Sequence, residues 1–268
     1  MKTARQDIDE RIAEARARVA ELLFEIDDIV LQVNPRLEAE YATKIGYLEN
    51  ELLKWQIAAR RARRRFSLAQ ARANAGASFE ADEFEAQLDA ELAQWENLLA
   101  QSMKSFLEAA ERLAGSHPLP PSDSRELTCL HREIVKRLHP DLHPGQSAEE
   151  ERFFKVAQAA YEGGNLVMLR AIAVATADMG GEPDDSHLSE DEANAEFEIV
   201  LAHERVVAQR LEEIKRVNPY ALKEKLEDGA WVVQRASELK RQIEQQKAAA
   251  CAYDTRFRKL MEGRGDER

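Results

Sequence analysis

Apolar residues return every three or four positions along most of this chain, and that rhythm calls for helices. Ile8, Ile12, Ala15, Val19, Leu22, Ile26, Ile29 and Val33 alternate in steps of four and three. A heptad seam sustained in this way is the pattern of a coiled coil. A strand would need alternation in twos, and no long segment offers it. Asn34-Pro35 follows the seam. Asparagine is a good N-cap and proline suits the first helical position. One helix is therefore expected to stop there and another to start at once.

The second helix is expected from Pro35 to about Asn74, with Tyr41, Ile45, Leu48, Leu52, Trp55, Ala59, Ala62, Phe66 and Ala69 in the same rhythm. Arg60, Arg61, Arg63, Arg64 and Arg65 crowd one part of it. Such a cluster is either an anion or nucleic-acid patch, or a solvated face paired with acids of a neighbouring helix. The third helix, about Ser78 to Leu113, decides between them. Its first turns carry Glu80, Asp82, Glu83, Glu85 and Asp89. An antiparallel hairpin would set these against the arginines, which favours the paired reading. Phe84, Leu88, Leu92, Trp95, Leu99, Met103, Phe106, Ala110 and Leu113 form its apolar stripe. Trp55 and Trp95 lie on the stripes and are expected in the core.

A fourth helix is expected over about Ser189 to Val217 and a fifth from about Tyr220 to Met261. Val217-Asn218-Pro219 between them repeats Val33-Asn34-Pro35. A weak duplication and a chance recurrence both fit.

The chain has 268 residues, a net charge of -12 and 33 % charged residues. This acidic balance argues against nucleic-acid binding, which calls for a basic footprint. Cys129 and Cys251 are far apart and suggest neither a disulfide framework nor a metal site. No apolar run is long enough to span a membrane, and the N-terminus has no secretory pattern. A cytoplasmic protein is the expectation. Nucleophile-elbow, phosphate-loop and zinc patterns are lacking, and no cofactor is expected. His139, Asp141 and His143 could be imagined as metal ligands, but Pro140 intervenes and a second ligand pair is missing.

The densest stretch runs from Leu127 to Leu169. Leu127, Leu130, Ile134 and Leu138 make a helical stripe, with Arg132 and Lys136 one turn apart on another face and Arg137 beside them. Pro140 disfavours helical geometry at His139, so the helix should end there. Ser147 and Glu150 are spaced as a capping box for the next helix. Phe153, Phe154, Ala157, Ala160 and Tyr161 supply its inward face, and Gly163-Gly164 ends it.

A basic helix ending in His139-Pro140-Asp141, followed by a partner helix carrying Phe154 and Ala160-Tyr161, resembles the J-domain of DnaJ-type co-chaperones. The resemblance covers about residues 127–169 only. Glu133 stands where that family often has a base, the usual short first helix is not obvious, and NLVMLRAIA replaces the usual fourth. The resemblance implies contact with a DnaK-type chaperone, whose ATPase it would stimulate. His139, Pro140 and Asp141 would dock, while Arg132, Lys136 and Arg137 would steer toward an acidic surface. The motif's side chains should then be exposed and dispensable for folding.

The expected architecture is all-α, with long coiled-coil helical hairpins flanking a small J-domain-like hairpin. Its parts are a three-helix region over 1–116, the J-like segment over 123–177 and a C-terminal hairpin over 188–262. HPLPPSDS, from His117 to Ser124, and the acidic stretch from Met179 to Glu192 would be linkers, the latter mobile. The helical arms would bind a client or another copy of the chain. The alternative is a structural scaffold whose J-like segment no longer stimulates an ATPase.

Overall fold

The seam that begins at Ile8 does not stop at Asn34-Pro35. In the computed structural model, which describes residues 4–80, 82–115, 119–180 and 188–265, helix α1 (Ala4–Asp28) continues through a widened turn at Ile29–Val33 into α2 (Asn34–Tyr41). A second widened turn, Ala42–Gly46, leads into α3 (Tyr47–Asn74). Proline lacks an N–H and its ring collides with the carbonyl four residues back in a regular helix. The widened turn relieves this, with the Asn34 N–H donating to the Ile29 carbonyl five residues back. The expected helix break is thus a bulge.

The second copy of the triplet behaves differently. Helix α8 (Glu190–Arg216) ends at Val217, which is extended at φ −106° and ψ 157°. A tight turn at Tyr220–Leu222 and a short α9 (Lys223–Glu227) precede α10 (Gly229–Gly265). Burial separates the two cases. Ile29 and Leu37 flank the first triplet and are buried, whereas Val217 is 59 % exposed. Packing on both sides holds the first in a helix, whereas Glu213 and Ala221, at the equivalent places around the second, are exposed.

All regular elements among the described residues are helical. They form two compact units, Met1–Leu37 with Ser116–Lys223, and Glu38–Gly115 with Glu224–Arg268. The three consecutive blocks expected from sequence are not these units. The reason is that α8 packs on α1 and α10 packs on α3, so the expected hairpin over 188–262 is divided.

In the first unit α1 and α8 run parallel, since their ion pairs ascend together: Arg16–Glu196 at 2.7 Å, Arg18–Glu204 at 3.0 Å and Glu25–Lys215 at 2.7 Å. Ile8, Ile12, Ala15 and Val19 are buried in one core with Phe197, Val200, Val207 and Leu211. Leu23 and Phe24 belong to the same core, and α1 also packs against α5 (Pro121–Leu138). With α6 (Ala148–Glu162) and α7 (Leu166–Ala175), α5 forms a small helical cluster. Helix α5 starts earlier than expected, at Pro121 in the first helical position, where its missing N–H costs nothing. The linker expected over His117–Ser124 is shortened accordingly, and its residues 117–118 lie outside those described.

In the second unit α3 and α10 are also parallel. Glu49 meets Arg235 at 2.9 Å and Arg65 meets Asp254 at 3.8 Å. Ile45, Leu48 and Leu52 cluster with Leu239 and Ile243, and Ala69 with Phe257. Helix α4 (Glu85–Gly115) is antiparallel to α3, as expected. Arg72–Glu83, Arg61–Glu85 and Arg64–Glu91 lie at 2.9, 2.5 and 2.8 Å, and Arg112–Glu38 at 3.1 Å. Arg65 also reaches Glu85, and the Arg60 guanidinium lies 4.3 Å over the Trp95 ring. Arg60, Arg61, Arg64 and Arg65 are therefore engaged by neighbouring side chains.

The α4 stripe is buried only in part. Phe84, Leu88 and Leu92 are buried, but Leu99 and Phe106 are half-buried and Met103 is exposed. Trp95 is 37 % exposed, so its expected core position is corrected; the side chain of Leu113 lies outside those described. No helix among the described residues is long and apolar enough to cross a membrane.

Candidate functional site: the His-Pro-Asp turn

The turn is built by the helices on either side of it. Leu127, Ile134 and Leu138 of α5 are buried against Phe154, Ala157, Ala160 and Tyr161 of α6. Pro140 forces His139 out of the helix, to φ −69° and ψ 128°. Helix α6 restarts from a capping box in which Ser147 accepts from the Glu150 N–H at 3.2 Å and donates its own N–H to the Glu150 carboxylate at 2.7 Å. Gly164 closes the far end of α6 with φ +63°.

His139 is not the exposed side chain expected from sequence. It is 9 % exposed and lies edge-on to Phe154, with ring centroids 5.0 Å apart. Its Nδ1 accepts the Asp141 backbone N–H at 3.0 Å, so the ring pins the turn. Burial lowers its pKa, against the opposing charges of Asp141 and Asp27, while Arg210 and His203 push the same way as burial. His143 adds a second brace, its Nε2–H donating to the Lys136 carbonyl at 2.9 Å. Pro140 is half-buried and Asp141 is exposed.

The three basic residues are placed differently from one another. Arg132 and Lys136 are exposed, and both reach Glu21 of α1, at 3.2 and 3.0 Å. Arg137 turns inward. Its guanidinium donates to the Ala173 and Thr176 carbonyls, both at 3.1 Å, which satisfies acceptors at the end of α7. Of the six expected site residues, then, His139 and Arg137 hold the structure, while Asp141, Arg132 and Lys136 present charge.

No protein-family model, curated protein or solved structure matches the chain. The site therefore rests on its own geometry. Among the described residues no group of three potential ligands is placed to hold a metal ion. The turn displays one carboxylate, Asp141, and the preceding helix displays two cations, Arg132 and Lys136.

A buried polar cluster lies behind the turn. His131 is wholly buried, stacked on Tyr161 at 4.0 Å, with its Nε2–H donating to Asp27 at 3.2 Å. Gln158 donates to both oxygens of that carboxylate at 3.2 Å. The Tyr161 hydroxyl donates to Asp28 at 2.6 Å, and burial first, then this bond, raises its pKa. Gln32 donates to the Tyr161 carbonyl. A histidine on an otherwise apolar face was the one signal in sequence.

Gly180 was also missed. The stretch from Met179 was expected to be a mobile linker, but Met179 packs against the core and Gly180 lies on the end of α5. Its φ is +68°, and a Cβ built there would sit 1.9 Å from the Arg137 carbonyl oxygen. Residues 181–187 lie outside those described. Gly180→Ala is expected to lift this segment off α5, because the clash is with backbone and the φ is unfavourable for any side chain. Hydrogen exchange should show faster exchange near Arg137 and His139 than in wild type. Unchanged protection would show that the close approach is dispensable.

The His139 shift has a pH consequence. The folded chain holds the ring neutral, whereas in the unfolded chain it titrates near 6.5. As pH falls through about 6.5, the unfolded state binds the proton first and stability drops. The contribution is full above that pH and is lost toward the lower folded-state pKa. Denaturation at pH 7.5 and 5.5 should therefore show a larger loss for wild type than for His139→Gln. Equal losses would mean that His139 does not carry the effect.

Proposed function

We propose that this chain is a J-domain co-chaperone of the cytoplasm that stimulates a DnaK-type ATPase through His139-Pro140-Asp141. The observation that carries the reading is the Asp141 carboxylate, exposed on a turn whose backbone is pinned by His139. A fixed carboxylate can pair with an arginine of a partner through charge-assisted hydrogen bonds. Arg132 and Lys136 would favour encounter with an acidic surface, an effect on rate and orientation. Hydrolysis belongs to the partner, so the chain is itself no enzyme. The parallel helix pairs would act as coiled-coil arms for a client or another copy.

A structural scaffold without ATPase stimulation is the second reading, favoured by the inward turn of Arg137 and by the engagement of Arg132 and Lys136 with Glu21. Single-turnover ATP hydrolysis by DnaK-type chaperones, with and without the full chain, separates the two. Acceleration supports the co-chaperone reading. No acceleration of any such ATPase from the same cell leaves the scaffold.

A further inference from the structure

The charges that the proposed function offers to a chaperone are already answered inside the first unit. Arg132 and Lys136 share Glu21 of α1, at 3.2 and 3.0 Å. Asp141 faces Arg210 of α8, with oxygen and nitrogen 4.0 Å apart. Glu21 and Arg210 stand on two parallel helices that pack together, so one platform addresses both parts of the site. It presents an acid to the bases and a base to the acid. A chaperone would have to offer that same complement. Resting on the co-chaperone reading, we infer that the α1–α8 platform is an autoinhibitory clamp whose Glu21 and Arg210 compete with the chaperone for Arg132, Lys136 and Asp141.

The contacts suit a clamp that opens. Glu21, Arg132, Lys136, Arg210 and Asp141 all keep 41–59 % of their side-chain surface exposed. Exposed pairs are individually weak and are screened by salt. They can bias the site without locking it. A groove of about 570 Å³ beside Arg132, lined by Leu22, Phe24, Glu25 and Glu204, leaves the guanidinium room to turn toward a partner. The buried contacts of α5 with α1 are made by His131, with Phe24 and Asp27, and the Arg132 guanidinium also lies 4.6 Å over the Phe24 ring, so the Glu21 pairs can part while the helices remain docked.

The test compares the full chain with the double variant Glu21→Gln and Arg210→Gln. One negative and one positive charge are removed, so net charge and long-range attraction to an acidic partner are unchanged. Affinity for a DnaK-type chaperone in its ATP state is the measurement, by titration at low and high salt. The double variant is expected to bind about three- to tenfold more tightly at low salt, from two or three weak exposed pairs, with the gain shrinking as salt rises. Lys215→Gln, which breaks the α1–α8 pair to Glu25, controls for general loosening and should bind as wild type does. Equal affinity of wild type and double variant overturns the clamp and leaves the co-chaperone reading standing. An equal gain in Lys215→Gln also overturns the clamp. Failure of every form to bind overturns the co-chaperone reading and the clamp with it.

Discussion

Asp141→Asn is expected to abolish stimulation of a DnaK-type ATPase while changing stability by no more than about 0.5 kcal/mol, the usual range for surface substitutions. The side chain is exposed, and its ion pair to Arg210 is 4.0 Å long. What holds the turn is the Asp141 backbone N–H bonded to His139, and asparagine keeps that. The amide has the same size but no charge, so it cannot form the carboxylate–arginine bond on which the reading depends. His139→Gln makes a poorer test. It removes a buried ring packed on Phe154, so lost stimulation would be mixed with lost structure. Single-turnover hydrolysis and chemical denaturation of the same Asp141→Asn protein read both quantities. Full stimulation by this variant, with wild type active, would move the contact away from Asp141.

The helices were legible because periodicity is local. The seam from Ile8 to Ile29 lies largely in the core, and the α6 capping box forms as its spacing required. The antiparallel placement of α3 and α4 was legible too, because opposite charges sat on either side of a short turn. Partners distant in sequence were not. A heptad seam says that a helix has a partner and not which one, so proximity in sequence points α8 to α10, whereas it packs on α1. Leu23 and Phe24 lie beside the seam of α1, and their burial against α5 depends on a contact more than a hundred residues away.

The candidate site divides along the same line. The turn itself was readable, since Pro140 dictates the helix end and Ser147 the next start. The surroundings of each side chain were not. A helix end predicts His139 and Arg137 as surface groups, yet one is buried on Phe154 and the other caps α7. Glu21 and Arg210 sit on helix faces where a charge signals only solvent. Even the repeated Val-Asn-Pro gave opposite outcomes, because burial around Ile29 and Leu37 outweighs the local preference of three residues.

His131→Ala is expected to cost about 3–5 kcal/mol, the range for emptying a large buried site and stripping a partner from a carboxylate. The ring is wholly buried, stacked on Tyr161 and tilted against Phe24 at 6.0 Å. Truncation leaves a cavity among all three helices α1, α5 and α6. It also takes one donor from Asp27, which is 8 % exposed and keeps only Gln158 as a side-chain donor among the bonds described. His131→Phe separates the two effects. Phenylalanine restores most of the volume and the stack but not the bond, so a loss of about 1–3 kcal/mol is expected from the unsatisfied carboxylate. The His131 Nδ1 is itself buried without a partner, and losing that orphan offsets part of the cost. Denaturant melts of the two variants therefore rank packing against hydrogen bonding. If His131→Ala costs less than about 1 kcal/mol, the smallest loss consistent with any buried truncation here, then α5 is held to α1 mainly by Phe24 and its apolar neighbours. The Asp27–His131 pair would then orient the hairpin without anchoring it.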